Sequence, residues 1–148
     1  MSQNAPVEKS VVCLLRQEAV LAFRHPLAGV QLPKGTREPG ETPEEAARRE
    51  MFEEVGLHLS GALVSLGTWE CPEPAAIWHV FVADGSDALP LSWRHMPTGG
   101  GAERGLTFDV IWVDISSAAD VFHPLFLPVI DLVQLYRDQS AKARESQS

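Results

Sequence analysis

The stretch from Thr42 to Gly56 constrains the fold most, because it carries helix signals at both of its ends. Thr42 is a good N-cap, Pro43 suits the first helical position, and Glu45 completes a capping box. Gly56 stands where a left-handed C-terminal residue belongs. The sequence therefore predicts a helix over residues 43–55. Its predicted core face consists of four apolar residues: Ala47, Met51, Phe52 and Val55.

Three glutamates of this predicted helix fall on one face. Glu50, Glu53 and Glu54 are spaced i, i+3 and i+4, so their side chains project together from adjacent turns. Like charges placed this way destabilise a helix and raise one another's pKa unless a positive charge lies among them. Mg²⁺ would meet that need, because it prefers oxygen ligands and completes its shell with substrate phosphates. The alternative is a solvated acidic face without a function.

Arg49 comes directly before these glutamates in the sequence. We expect its side chain to point away from Glu50 and to pair with Glu41 in the preceding loop. Such a pair would brace the loop against the helix.

Strand signals surround the helix on both sides. Residues 10–25 read as two apolar strands around a polar turn, and residues 29–35 as a third extended piece. Three further strand-like segments and a closing helix follow the predicted helix: 61–71, 76–84 and 107–115 for the strands and 124–139 for the helix. This order predicts an α/β domain in which a mixed β-sheet lies between helices.

Two segments are predicted to be irregular. Residues 85–105 are rich in Gly, Pro and charge and are expected to form a mobile loop that acts as a lid. A single domain is predicted over residues 1–138, with a polar, disordered tail at 139–148.

The overall charge and the cysteines limit the class of protein. A net charge of −8, without clusters of Lys and Arg, argues against broad contact with a nucleic-acid backbone. No apolar run approaches the roughly 18 residues needed to cross a bilayer, and the N-terminal residues lack the order of a signal peptide. Cys13 and Cys71 lack metal-type spacing and are expected to be buried, reduced thiols. We therefore expect a cytoplasmic protein.

The acidic residues belong to a longer pattern that covers residues 35–57. Its fixed positions are Gly35, Glu41, Arg49, Glu50, Glu53, Glu54 and Gly56, with the apolar Met51 and Leu57 among them. At every position the pattern resembles the signature of the Nudix hydrolases. The strand order on both sides is also similar to that family's fold.

The resemblance implies a Nudix-like α/β/α sandwich and metal-dependent cleavage of a nucleoside diphosphate linked to another group. It implies that Glu50, Glu53 and Glu54 bind metal and activate water, with the Gly35 carbonyl as a further ligand. Arg49 would take the bracing role described above. The implied cofactor is Mg²⁺, with Mn²⁺ as an alternative.

The general base is expected to be Glu53 or a carboxylate in a loop beyond the motif. Glu103, in the glycine-rich loop, is the first loop candidate, and Glu70 and Glu73 follow it. Each of these three also fits an ordinary surface acid. The predicted catalytic residues are Glu53, Glu54, Arg49 and Glu103.

Three residues are expected to bind the substrate. Lys34 would meet a phosphate, while Phe23 and Trp69 would stack on a base. Core packing is the alternative for both aromatic residues. Trp93 and His95, in the predicted loop, are candidates to close over a ligand.

Two features of the sequence point to different substrates. The segments LPKG (32–35) and EPGE (38–41) resemble hydrolases of diadenosine polyphosphates, whereas Pro72 lies where ADP-ribose-cleaving relatives tend to have proline. The prediction is therefore a metal-dependent pyrophosphohydrolase with an ADP-ribose-like or dinucleoside polyphosphate substrate. Alternatives are release of pyrophosphate from a nucleoside triphosphate and a non-catalytic nucleotide-sensing module. We expect a small nucleotide-derived substrate, no nucleic-acid polymer and no membrane partner; a homodimer is left open.

Overall fold

The structure is a computed structural model that describes residues 6–99 and 103–146. The strands in these ranges are β1 (Glu8–Arg16), β2 (Ala19–His25), β3 (Gly29–Gln31), β4 (Lys34–Thr36), β5 (Val64–Pro72), β6 (Ala75–Asp84), β7 (Ser92–His95) and β8 (Phe108–Asp114). The helices are α1 (Pro43–Val55), α2 (Ala118–Val121) and α3 (Leu127–Ser146), with short 3₁₀ turns at Ile115–Ser117 and Pro124–Phe126.

All of these strands join one mixed sheet. Its main path is β5-β6-β1-β2-β8-β7, with β3 paired to β2 and β4 paired to β1. β1 and β6 run parallel, and the other pairs of neighbouring strands are antiparallel. β1 is therefore central, and its N-terminal half carries β4, the last strand before α1.

Helices cover both faces of the sheet, and β1 shows how the core is divided between them. Val12 and Leu14 pack in the apolar cluster that contains Met51 and Val55 of α1. The alternate residues of β1 point to the opposite face. They pack in a second cluster beneath α3, whose members include Val11, Cys13, Val129 and Val133. This arrangement confirms the predicted α/β fold with a mixed sheet between helices.

α1 has the predicted limits. The Thr42 side chain accepts a hydrogen bond from the Glu45 main-chain N–H at 3.1 Å, and the Glu45 side chain accepts one from the Thr42 N–H at 2.9 Å. Gly56 ends the helix with a φ of 82°. Phe52 differs from its prediction as a core residue: it is exposed and stacks on the His58 ring, because the core face of α1 is already filled by Ala47, Met51 and Val55.

The predicted mobile loop at 85–105 is wrong for residues 92–95, which form β7 and pair with β8. The side chains of this segment alternate between the core and solvent, as in a strand. Trp93 packs against the cluster on the α1 side, while Ser92 and Arg94 are exposed. Residues 100–102 of the predicted loop lie outside the described residues.

The predicted disordered tail is likewise corrected for residues 139–146, where α3 continues to Ser146. Ala, Lys and Arg are strong helix formers, and Arg144 in the last turn favours the negative end of the helix dipole. Residues 147–148 lie outside the described residues.

Two other predictions concern the environment of the chain. Within the described ranges, no helix combines the length and the apolar character needed to span a membrane. Cys13 and Cys71 are buried and free, which confirms their prediction as unpaired thiols. Burial raises the pKa of the Cys13 thiol to about 12, so this thiol stays protonated at neutral pH.

Candidate active site

The carboxylates of α1 meet in one cleft with a volume of about 690 Å³. Glu50, Glu53 and Glu54 line it together with Gly35 from β4 and Glu103 from the segment before β8. Glu50 and Glu54 are only 9% and 5% exposed, whereas Glu53 is partly exposed. The helix therefore presents its three acids to a single space, with two of them withdrawn from solvent.

Burial changes the acidity of the two withdrawn groups. It raises the pKa of Glu50 to about 7, although the neighbouring Arg49 acts in the opposite direction. It also raises the pKa of Glu54 well above its usual range, against the hydrogen bond that the Lys34 main-chain N–H donates at 2.7 Å. The charged forms of both carboxylates are therefore only partly compensated by these partners, and an added cation would stabilise them further.

Arg49 is the cation that does lie among these acids. Its Nε and Nη2 donate to the two oxygens of Glu41 at 2.8 and 3.0 Å, which gives the predicted brace between loop and helix. The expectation that Arg49 points away from Glu50 is wrong, because Nη1 lies 2.7 Å from Glu50 Oε1 and 3.1 Å from Glu53 Oε2. The planar guanidinium thus uses two of its nitrogens on Glu41 and the third on both Glu50 and Glu53. Its carboxylate partners raise the pKa of Arg49, so it remains charged.

Gly35 allows Glu50 to approach β4 closely. A Cβ atom at this position would lie 1.9 Å from Glu50 Cδ and 2.0 and 2.3 Å from its two oxygens. These distances are far below van der Waals contact, so only glycine permits this position of the carboxylate.

The C-terminal end of α1 is held by the β7 segment. Trp93 Nε1 donates to the Val55 carbonyl at 2.8 Å, and His95 Nε2 lies 3.0 Å from the Glu53 carbonyl. The Thr98 N–H donates to that same carbonyl at 3.0 Å. The prediction that Trp93 and His95 close over a ligand is therefore corrected: both bind the main chain of the helix that carries the acids.

Gly99 also lies against the acids, and no sequence signal pointed to it. A Cβ atom here would stand 2.8 Å from Glu53 Oε2, and its φ of 100° is a conformation that glycine favours. The segment after β7 thus lies close to Glu53, although less close than β4 lies to Glu50, where the corresponding distance is 1.9 Å.

Glu103 lines the cleft, and its charge contributes to the raised pKa values of Glu50 and Glu54. The two other loop candidates are placed differently. Glu70 is exposed on β5, and Glu73 is exposed in the turn between β5 and β6. Neither of them is among the residues that line the cleft.

The residues predicted to bind substrate fall in three environments. Lys34 lines the cleft, with its ammonium 4.9 Å from the centre of the Trp78 ring. Phe23 is 1% exposed and stacks on Phe108 with ring centres 4.4 Å apart, so its prediction as a base-stacking residue is wrong: no face of the ring is free. Trp69 is partly buried, packs edge-on against Trp78 and is not part of the cleft lining.

The oxygen donors that the described residues place in the cleft do not form a closed site for a divalent cation. As the side chains stand in residues 6–99 and 103–146, no three His, Cys, Asp or Glu residues are grouped to hold a metal ion. Arg49 explains part of this, since its Nη1 contacts both Glu50 and Glu53. The chemistry nevertheless fits a hard cation: all donors are oxygens, and two are buried carboxylates whose pKa burial raises despite their partners.

A family model described as a NUDIX domain matches residues 6–125. The chain belongs to the NUDIX family. The match confirms the resemblance drawn from residues 35–57, and with it the prediction of a Nudix hydrolase at the level of the family.

Curated relatives match over a shorter region. The RNA pyrophosphohydrolases of Yersinia enterocolitica and Yersinia pestis are each 48% identical to this chain over 58 residues. This region is 39% of the present chain and 33% of theirs, so the match spans about a third of the length of these relatives.

Solved structures of low sequence identity share the fold. A MutT structure from work on Aliivibrio salmonicida and Vibrio cholerae has a TM-score of 0.62 at 18% identity, over 86% of this chain and 94% of that one. A NUDIX hydrolase from Nitrosomonas europaea has a TM-score of 0.64 at 18% identity, over 93% and 73% of the two chains. This likeness confirms the predicted Nudix-like sandwich around the cleft of the NUDIX domain.

Proposed function

We propose that the chain is a metal-dependent pyrophosphohydrolase that cleaves a nucleoside diphosphate linked to another group. One observation carries this proposal: α1 places two buried carboxylates and a third, partly exposed one in a single cleft, and among the described residues only Arg49 makes an ion pair with any of the three. A protein that used this helix only for stability would have no reason to bury Glu50 and Glu54 beside each other.

The residues that would hold Mg²⁺ or Mn²⁺ are Glu50 and Glu54, with Glu53 and the Gly35 carbonyl as further ligands. Bound there, the cation would neutralise charge on the phosphoryl oxygens and make a water more acidic. Arg49 holds the carboxylates of Glu50 and Glu53 in place through its hydrogen bonds, and Glu41 holds Arg49.

Glu53 and Glu103 are the two candidates for the general base. Glu53 keeps part of its carboxylate accessible to the cleft, and Glu103 lines the same cleft from a different segment. Either group would take a proton from the attacking water, which then adds to phosphorus as the bridging oxygen leaves with the second phosphate. We favour Glu53, because Gly99 leaves room for its carboxylate at the cleft wall.

A second candidate is release of pyrophosphate from a triphosphate, including the triphosphate end of an RNA. The curated relatives named RNA pyrophosphohydrolases favour it, within the short region that they share with this chain. The net charge of −8 argues against extended contact with an RNA backbone, so contact would be confined to the triphosphate end. An RNA substrate would contradict the prediction that the chain has no nucleic-acid polymer as a partner.

A nucleotide-sensing module without turnover is the alternative from another class. It would require a bound nucleotide but not three clustered acids. The complete set of Glu50, Glu53 and Glu54 in the cleft therefore favours an enzyme.

A product assay tests the proposal. We expect the purified protein with Mg²⁺ to split ADP-ribose, a dinucleoside polyphosphate or a nucleoside triphosphate into products that chromatography resolves. Glu53→Gln and Glu54→Gln should each lower turnover by a factor of about 10² to 10⁴. Glu44→Gln is the matched control, because Glu44 is an exposed acid of the same helix. Full turnover in both cleft variants, or nucleotide binding without products, would contradict the proposal.

The cytoplasm is the proposed place of action, since the two cysteines are free and buried as expected in a reducing compartment. The single domain over residues 1–138 and a homodimer are further predictions, which limited proteolysis and sedimentation would test.

A further inference from the structure

Two of the three lysines in the chain line the candidate cleft. Lys9 lies near the start of β1, and Lys34 is the first residue of β4. The third, Lys142, is exposed near the end of α3. The carboxylate chemistry described above does not account for a pair of lysines in this place.

Both lysines project from the face of the sheet opposite α1. Lys9 is paired with Trp78 in the β1–β6 register, and Lys34 is paired with Val11 in the β1–β4 register. Trp78 and Val11 belong to the apolar cluster beneath α3, and directly paired residues share a face. The cleft therefore has an acidic wall from α1 and a basic wall, formed by Lys9 and Lys34, from the other face.

The basic wall lacks the ion pairs that the nearby arginines make. Arg37 pairs with Glu8 at 2.6 Å and Arg49 with Glu41 at 2.8 Å. Among residues 6–99 and 103–146, by contrast, no carboxylate lies within ion-pair distance of either lysine ammonium.

Aromatic rings hold the Lys34 ammonium in place instead. It lies 4.9 Å from the centre of the Trp78 ring and 5.7 Å from that of Phe126. Burial, and then the charge of Lys9, lower the pKa of Lys34 to about 8. The charge of Glu54 acts on Lys34 in the opposite direction, but Glu54 is not within ion-pair distance of the ammonium. Two neighbouring ammonium groups that lack a paired carboxylate are stabilised by an anion that contacts both, and phosphate oxygens are suitable acceptors.

We propose that Lys9 and Lys34 bind a third phosphate of the substrate, beyond the two that flank the cleaved bond. This inference rests on the proposed function, because those two phosphates belong at the acidic wall. A substrate with only two phosphates leaves the basic wall without a ligand. The chain therefore prefers substrates with three or more phosphates in a row, such as dinucleoside polyphosphates or triphosphate ends, to ADP-ribose.

Steady-state kinetics on diadenosine substrates that differ only in the number of phosphates test this preference. With Mg²⁺, kcat/KM should increase from diadenosine diphosphate to the triphosphate and the tetraphosphate. Lys9→Met should lower kcat/KM for the tetraphosphate about ten- to a hundredfold more than for the diphosphate, mainly through KM, because a charge-assisted hydrogen bond is lost. Lys142→Met is the matched control and should keep the values of the unchanged protein.

Lys34→Met is the second variant, and its fold is expected to persist. Methionine keeps the length of the side chain and a favourable contact with Trp78. The bond from the residue 34 N–H to Glu54 belongs to the main chain and is retained. Lys34→Met should therefore also lower kcat/KM more for the tetraphosphate than for the diphosphate.

Calorimetry with methylene-bridged analogues, which are not hydrolysed, separates this inference from the proposed function. The analogue with three phosphoryl groups should bind more tightly than the one with two, and Lys9→Met should remove most of the difference. If the protein cleaves none of the dinucleotides but shows this binding pattern, the proposed function fails and the third-phosphate site stands. Three results would overturn the inference. They are an equal loss of kcat/KM on all phosphate-chain lengths in the lysine variants, no preference of the protein for longer phosphate chains, or no binding of the three-phosphate analogue.

Discussion

The first turn of α1 carries Glu44 and Glu45, whereas its last turns carry Glu53 and Glu54. Acids stabilise the positive N-terminal end of a helix and destabilise its negative C-terminal end. Glu44 and Glu45 are exposed, while Glu54 is buried, and no basic residue lies in the last turn of α1. The acids of the first turn therefore stabilise the helix. The acids of the last turns destabilise it, and a bound cation would offset this loss of stability.

The contacts that hold the two ends of α1 also differ in the sequence separation of their partners. At the N-terminal end, Thr42 and Glu45 exchange hydrogen bonds across three residues. At the C-terminal end, Trp93 and His95 reach the carbonyls of Val55 and Glu53, 38 and 42 residues away in sequence. We infer that the N-terminal end can be weakened without loss of activity, whereas the C-terminal end cannot.

Among substitutions that leave the acids themselves in place, the largest effect is expected from Gly35→Ala. The new methyl group would meet the Glu50 carboxylate at about 2 Å, so the carboxylate must leave its position beside β4. A displacement of this size lowers turnover about a hundredfold. Steady-state kinetics measure the loss, with Gly61→Ala as the matched control because nothing lies within 4 Å of a Cβ there. Unchanged turnover in Gly35→Ala would show that the position of Glu50 does not matter.

A smaller effect is expected from Trp93→Phe. The substitution removes the N–H that donates to the Val55 carbonyl, which should lower the free energy of unfolding by about 1–2 kcal/mol. Turnover should also fall, because the last turn of α1 loses a fixed position. Thr42→Ala is the counterpart at the other end and should cost about 1 kcal/mol of stability without a matching fall in turnover. Chemical denaturation measures the stability of both variants, and steady-state kinetics measure their turnover. Equal losses of turnover in the two variants would contradict the inferred difference between the two ends of α1.

Local sequence signals predicted the parts of the fold that depend on neighbouring residues. The capping box, Pro43 and Gly56 set the limits of α1, and i, i+3, i+4 spacing placed three acids together in one cleft. The apolar runs also located most strands of the sheet, because strand patterning is a local property.

Contacts between distant residues explain what the sequence did not predict. β7 depends on pairing with β8 and on the bond from Trp93 to α1, and nothing in residues 92–95 shows these partners. Lys9 lies 25 positions before Lys34, and only the register of β1, β4 and β6 brings both to one wall. Phe23 fits a core residue, and less often a base-stacking residue, until its contact with Phe108 is known.

The effect of Mg²⁺ on thermal unfolding tests most directly whether the last turns of α1 form a cation site. Mg²⁺ should raise the Tm of the unchanged protein and of Glu44→Gln, because a ligand that binds only the folded state stabilises it. In Glu54→Gln most of that increase should disappear, while the Tm without metal should lie above that of the unchanged protein, since a buried acid is removed. The same increase of Tm with Mg²⁺ in Glu54→Gln as in Glu44→Gln would contradict the account.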